Sequence, residues 1–66
     1  MSGERLRALR DALHDVRQPA SALRLYAEWL NEDRALADEL APKLLRAAWA
    51  VEAMLDAAMN LARLDA

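Results

Sequence analysis

The chain contains no cysteine, and it is poor in the residue types that build β-sheets. Without cysteine there is no disulfide framework and no thiolate metal site, and we expect no metal centre. Isoleucine, threonine and phenylalanine are absent, and the only β-branched residues are Val16 and Val51. Since strands favour β-branched and aromatic residues, these absences argue against a sheet and predict an all-α chain.

Alanine and leucine dominate what is present, with 16 and 13 of the 66 residues. Both are strong helix formers. A chain of this length is at most one domain, so residues 1–66 are interpreted as a single domain. Because so short a chain struggles to bury enough surface alone, we expect tight helix packing or oligomerisation to stabilise it.

The charge balance excludes some partners. Nine basic and eleven acidic residues give a net charge of −2, so there is no basic field for nucleic acid. Charged residues interrupt the most apolar region at Arg46, Glu52, Asp56 and Arg63, so no membrane helix and no direct membrane contact are predicted. We expect a soluble, cytoplasmic chain, although a longer parent protein could be membrane-anchored.

The first half of the chain carries a heptad pattern. Its apolar positions are Leu6, Leu9, Leu13, Val16, Ala20, Leu23, Ala27 and Leu30. This register continues through Pro19, where a proline inside a helix removes one hydrogen bond and bends the backbone. The pattern therefore predicts one long kinked helix over residues 4 to 30.

The second half predicts another helix, over residues 37 to 64, after a polar loop at 31 to 36. Asp33 or Asp38 is a candidate cap for it. Two apolar stripes fit this helix: Leu44, Ala48, Val51, Leu55, Ala58 and Ala62, and Leu40, Ala47, Val51, Met54, Ala58 and Leu61. Such a wide apolar surface indicates more than one neighbour. We expect an antiparallel helical hairpin that dimerises into a four-helix bundle, a homodimer.

His14 is the only histidine, and it follows the heptad residue Leu13 on the flank of the apolar seam. The helical face around it holds Arg10, Arg17, Gln18 and Ser21, and Asp15 is next in sequence. A carboxylate that holds one imidazole N–H makes the other ring nitrogen a better nucleophile, and arginines offset the charge of a phosphoryl group. The alternative is an ordinary solvated surface histidine.

The run Leu13-His14-Asp15-Val16-Arg17-Gln18-Pro19 closely resembles the H-box of sensor histidine kinases. Residues 20–30 resemble the remainder of that family's first helix, and residues 61–66 resemble the end of its second. The resemblance covers nearly the whole chain, and the motif falls in the first of two long helices, as in the family. It implies a dimerisation and histidine-phosphotransfer (DHp, HisKA-type) domain.

The resemblance also implies roles for individual residues. His14 would be the phosphoacceptor that takes the γ-phosphoryl group of ATP and passes it to an aspartate of a response-regulator receiver domain. Asp15 would be its hydrogen-bond partner or general base, Arg17 belongs to the motif, and Pro19 would bend the helix. Gln18 stands where the family has Thr or Asn, which position water for phosphatase action.

The same resemblance implies a docking surface for the receiver domain and a separate ATP-binding domain. Receiver docking would involve Ser21, Ala22, Leu25, Tyr26 and Trp29. The 66 residues contain no glycine-rich lid and no asparagine-bearing ATP box. We therefore expect this chain to bind no cofactor, with ATP and Mg²⁺ held by a separate histidine kinase ATP-binding domain, so that it is not an active enzyme alone.

Two other functions are compatible with the sequence. The chain could be a non-catalytic dimerisation or scaffold bundle with an unused H-box. It could also be a stand-alone phosphotransferase or kinase inhibitor built on the same bundle. Substituting His14 distinguishes the scaffold from the phosphoacceptor.

Overall fold

The computed structural model describes residues 3–63, and this part of the chain is almost entirely helical. Helix α1 spans Gly3–Asp15, α2 spans Arg17–Glu32, a short 3-10 helix spans Arg34–Leu36, and α3 spans Ala37–Arg63. No strand occurs in it. The prediction of an all-α helical hairpin is confirmed. The predicted end of the second helix at Leu64, and both ends of the predicted domain, lie outside the described residues.

Helices α1 and α2 form one long rod with an interruption at Val16. Val16 itself keeps helical backbone angles, with φ −60° and ψ −25°, and its carbonyl accepts a hydrogen bond from the Ala20 N–H at 3.1 Å. Pro19 has no N–H to donate to the Asp15 carbonyl, and this missing bond explains why the interruption lies three residues before the proline. The rod reaches Glu32, so Asn31 and Glu32, which were both expected in the loop, belong to the helix.

Asp33 turns the chain between the two halves. Its backbone is extended, its N–H donates to the Trp29 carbonyl at 2.9 Å, and its side-chain Oδ1 accepts from the Ala35 N–H at 3.1 Å. Of the two candidate caps, Asp33 is the one whose side chain forms a capping hydrogen bond. It caps the 3-10 helix, which leads directly into α3. Asp38 lies inside the first turn of α3.

The interior is narrow because the hairpin has only one layer of contacts. Both α1 and α2 pack against α3, and the buried side chains in residues 3–63 are Leu40, Ala47 and Ala58, all on α3. All three belong to the second predicted stripe, and Ala58 belongs to the first as well. Small alanines on α3 let the opposing helix approach closely, and the molecule measures 49 × 14 × 12 Å along its principal axes.

Half of the heptad positions are exposed along one side of the hairpin, and the first predicted stripe on α3 is only partly covered there. Leu6 is 58% exposed and Leu13 is 48% exposed, while Leu44 is half-buried. Two grooves on this side are lined by heptad residues, one near the loop and one near the start of α1. We call this side the leucine flank: Leu6, Leu9, Leu13, Ala27, Leu30 and Leu44. Within residues 3–63, no helix has the length and apolarity needed to cross a bilayer.

Candidate functional site

His14 lies in the last turn of α1, directly before the interruption of the rod, and its side chain is exposed. Because the backbone stays helical through Val16, residues on both sides of the interruption share its face. Arg10 and Asp11 precede it by four and three positions, and Arg17 and Gln18 follow it by three and four. Arg10, Asp11, Arg17 and Gln18 are all exposed. The imidazole is therefore open to a large reactant and is surrounded by polar groups.

The predicted pairing of Asp15 with His14 is not formed in this structure. Among the described side chains, neither His14 nor Asp15 makes a hydrogen bond or ion pair. Consecutive residues on a helix point about 100° apart, which separates the two groups. Asp11, which the sequence reasoning missed, is the carboxylate on the same face as His14. The spacing of three residues between Asp11 and His14 is the sequence pattern that places the two side chains on one helical face.

The arginines on this rod differ in their partners. Arg24 donates through Nη1 to Glu28 Oε1 at 2.9 Å, one turn further along α2. Arg10 and Arg17 make no ion pair or hydrogen bond with any described residue. Their positive charges are therefore available to an anion that approaches His14.

Pro19 connects the histidine region to a groove on the side of the hairpin opposite the leucine flank. The groove has a volume of about 410 Å³ and is lined by Pro19, Ala22, Tyr26, Lys43, Arg46 and Ala47. The rings of Tyr26 and Trp29 meet edge to face, with centroids 5.8 Å apart and an interplanar angle of 63°. This edge-to-face geometry is favourable for aromatic pairs and fixes both rings at the groove.

The residues predicted to dock a receiver are only partly brought together. Ala22 and Tyr26 line the groove, while Leu25 and Trp29 lie beside it, 39% and 46% exposed. Ser21 is exposed on the face of His14 instead. Lys43 and Arg46 of α3 were missed, because their approach to α2 depends on how the hairpin packs. We call this side the aromatic flank: Ala22, Leu25, Tyr26, Trp29, Lys43 and Arg46.

The described part of the chain does not suit a nucleotide or a metal ion. Its grooves are open, and the glycine in the chain, Gly3, lies at the start of α1, so no glycine-rich loop can hold phosphates with backbone N–H groups. Within residues 3–63, no three acidic or histidine side chains lie close enough together to hold a metal.

Comparisons of the chain with protein-family models, with curated proteins and with solved structures find no match.

Proposed function

We propose that this chain is the dimerisation and phosphoacceptor domain of a two-component sensor histidine kinase. The observation that carries the proposal is the position of His14, exposed at the interruption that Pro19 creates in a long, otherwise continuous rod. The resemblance of residues 13–19 to the H-box supports the same assignment. An exposed imidazole beside a bend can be approached by more than one partner protein.

A homodimeric four-helix bundle is the assembly we propose. The leucine flank supports it, because Leu6 and Leu13 are about half exposed in a single hairpin and recur at heptad positions. Exposed apolar surface at regular helical spacing is costly in water and is covered when two hairpins pack together. The partner on this flank is a second copy of the chain.

The proposed chemistry begins with the neutral imidazole of His14. One ring nitrogen attacks the γ-phosphorus of ATP bound to a separate catalytic domain. The new N–P bond forms, the bond from γ-phosphorus to the bridging oxygen breaks, and its electron pair leaves on ADP. The proton on the other ring nitrogen passes to solvent or to a carboxylate, for which Asp15 is the candidate from the H-box.

The phosphoryl group then passes to an aspartate of a receiver domain. A carboxylate oxygen forms a bond to phosphorus, the N–P bond breaks, and the ring nitrogen recovers its electron pair. The aromatic flank is the proposed docking surface, since aromatic rings and cations suit a partner whose rim is acidic. Gln18, on the face of His14, is the proposed water-positioning residue for the reverse, phosphatase reaction.

The test is phosphoryl transfer from labelled ATP to the chain, with the parent kinase's ATP-binding domain added in trans. We expect acid-labile label on the wild type and none on H14A. Circular dichroism and sedimentation of both proteins establish that the variant is still a folded dimer. Addition of a receiver domain is then expected to remove the label from the wild type.

Each other outcome favours a different function. A folded wild-type dimer that takes no label contradicts the phosphoacceptor assignment and favours a scaffold. If the parent gene encodes no ATP-binding domain and the chain takes label from the ATP-binding domain of another histidine kinase, the chain is a stand-alone phosphotransferase or kinase inhibitor. If sedimentation shows that the chain is a monomer even at high concentration, the proposed homodimer is wrong.

A further inference from the structure

Arg10 lies four residues, or one helical turn, before His14. Another arginine in the rod, Arg24, shows which groups an arginine can reach at that spacing. Arg24 and Glu28 have the same spacing and the same order along the chain, and their side chains meet at 2.9 Å. Both members of that pair are exposed, as Arg10 and His14 are. An arginine on this rod therefore reaches an anion carried four residues later.

The direction of the side chains favours the same contact. Helical side chains lean towards the N-terminus, so a group added to the imidazole of His14 overlies the turn that holds Arg10. Arg10 has no partner among residues 3–63 that it would have to give up. Arg17, whose own side chain leans back towards His14, approaches from the other side.

The charges around His14 also favour a contact between Arg10 and a phosphoryl group. A phosphoryl group brings about −1.5 to −2 charges at neutral pH. Asp11 lies on the same face, three residues before His14, and repels an anion there. We propose that Arg10 binds the phosphoryl group as it reaches His14 and after it is attached. This inference rests on the proposed function, in which His14 is the nucleophile.

Phosphoramidate tests this contact without a kinase. The lone pair of a His14 ring nitrogen attacks phosphorus, the P–N bond of phosphoramidate breaks, ammonia leaves with that pair, and the ring proton passes to solvent. The rate of labelling is measured at the same pH and phosphoramidate concentration for every protein. The matched control is R24Q, which changes the net charge equally but removes an arginine that already has a partner.

We expect R10Q to slow labelling about threefold, as an exposed charge pair predicts, and R24Q to match the wild type. The difference should disappear in 1 M salt, where the Debye length is about 3 Å. Diethyl pyrocarbonate, a neutral reagent for imidazole, should react equally with all three proteins.

Two results would overturn the assignment of Arg10. One is equal labelling of R10Q and R24Q. The other is a matching loss of reactivity of R10Q towards diethyl pyrocarbonate, which would indicate an altered imidazole and no anion site. Chemical labelling requires no ATP. The comparison of R10Q with R24Q therefore stays informative even if no phosphoryl group is transferred from the ATP-binding domain. The proposed function and the role of Arg10 can therefore fail separately.

Discussion

The two flanks of the hairpin present different chemistry to a partner. The leucine flank is made of aliphatic side chains at heptad spacing, and Arg10, Asn31 and Arg34 also line the grooves along it. The aromatic flank combines an edge-to-face pair of rings with Lys43 and Arg46 across the seam. Extended aliphatic surface suits a permanent partner, whereas aromatic residues with cations are common in interfaces that form and dissociate.

Under the proposed function, this difference would allow one thin hairpin to hold one partner permanently and to exchange another. The flanks lie on opposite sides of the seam between α2 and α3, so both can be occupied together. His14 is on the outward face of the rod, between them. We therefore expect substitutions on the two flanks to have separable effects.

The largest effect is expected from a charge on the leucine flank. L13D places an unpaired carboxylate in the proposed dimer interface, at a cost of about 3 kcal/mol or more, which weakens dimerisation at least about a hundredfold. L25D is the matched control on the aromatic flank, with similar exposure. Sedimentation equilibrium measures both. Equal loss of the dimer in the two variants would refute the separation of the flanks.

The next effect concerns the proline in the rod. P19A restores a helical hydrogen bond to the Asp15 carbonyl, so the free energy of unfolding should rise by about 2 kcal/mol. Urea denaturation at one fixed protein concentration measures it, because a dimer's stability depends on concentration. Since Pro19 lines the aromatic groove, receiver binding should fall, while P42A in α3 should leave binding unchanged. Unchanged binding by P19A would show that the bend is irrelevant to docking.

A smaller effect is expected from the aromatic pair. W29A removes one ring of the Tyr26–Trp29 pair and should weaken binding of a receiver domain that accepts phosphoryl from labelled His14 about tenfold, or about 1.4 kcal/mol. Trp49 on α3 is 59% exposed and takes no part in the Tyr26–Trp29 pair, so W49A is the control. Isothermal calorimetry compares them. If W49A were the more damaging, docking would have to be assigned to α3.

The smallest effect is expected where neither flank is touched. E28Q removes the ion pair with Arg24, whose side chains are 65% and 53% exposed, so little stability depends on it. Exposed pairs one turn apart contribute about 0.3–0.5 kcal/mol. The urea midpoint should shift slightly at low salt and not at 1 M salt. A larger shift, or a change in dimerisation, would place this pair in an interface.

Much of the fold was predictable from local pattern. The near absence of β-branched residues and the unbroken heptads predicted long helices, and the second helix begins at Ala37, where it was expected. The site was less predictable. Asp15 was selected by resemblance, yet adjacent residues on a helix diverge, and Asp11 shares the face of His14 instead. The break at Val16 was also displaced from Pro19, because the lost hydrogen bond belongs to a carbonyl four residues earlier.

Residue preferences and the period of the helix are local properties, and they are enough to predict that the chain is helical and where it turns. The packing of the hairpin is not local: it buries Leu40 and Ala47, leaves Leu55 40% exposed, and brings Lys43 and Arg46 to the groove beside Tyr26. Both stripes fit the helical period equally well, so the choice between them depends on how the two arms of the hairpin pack.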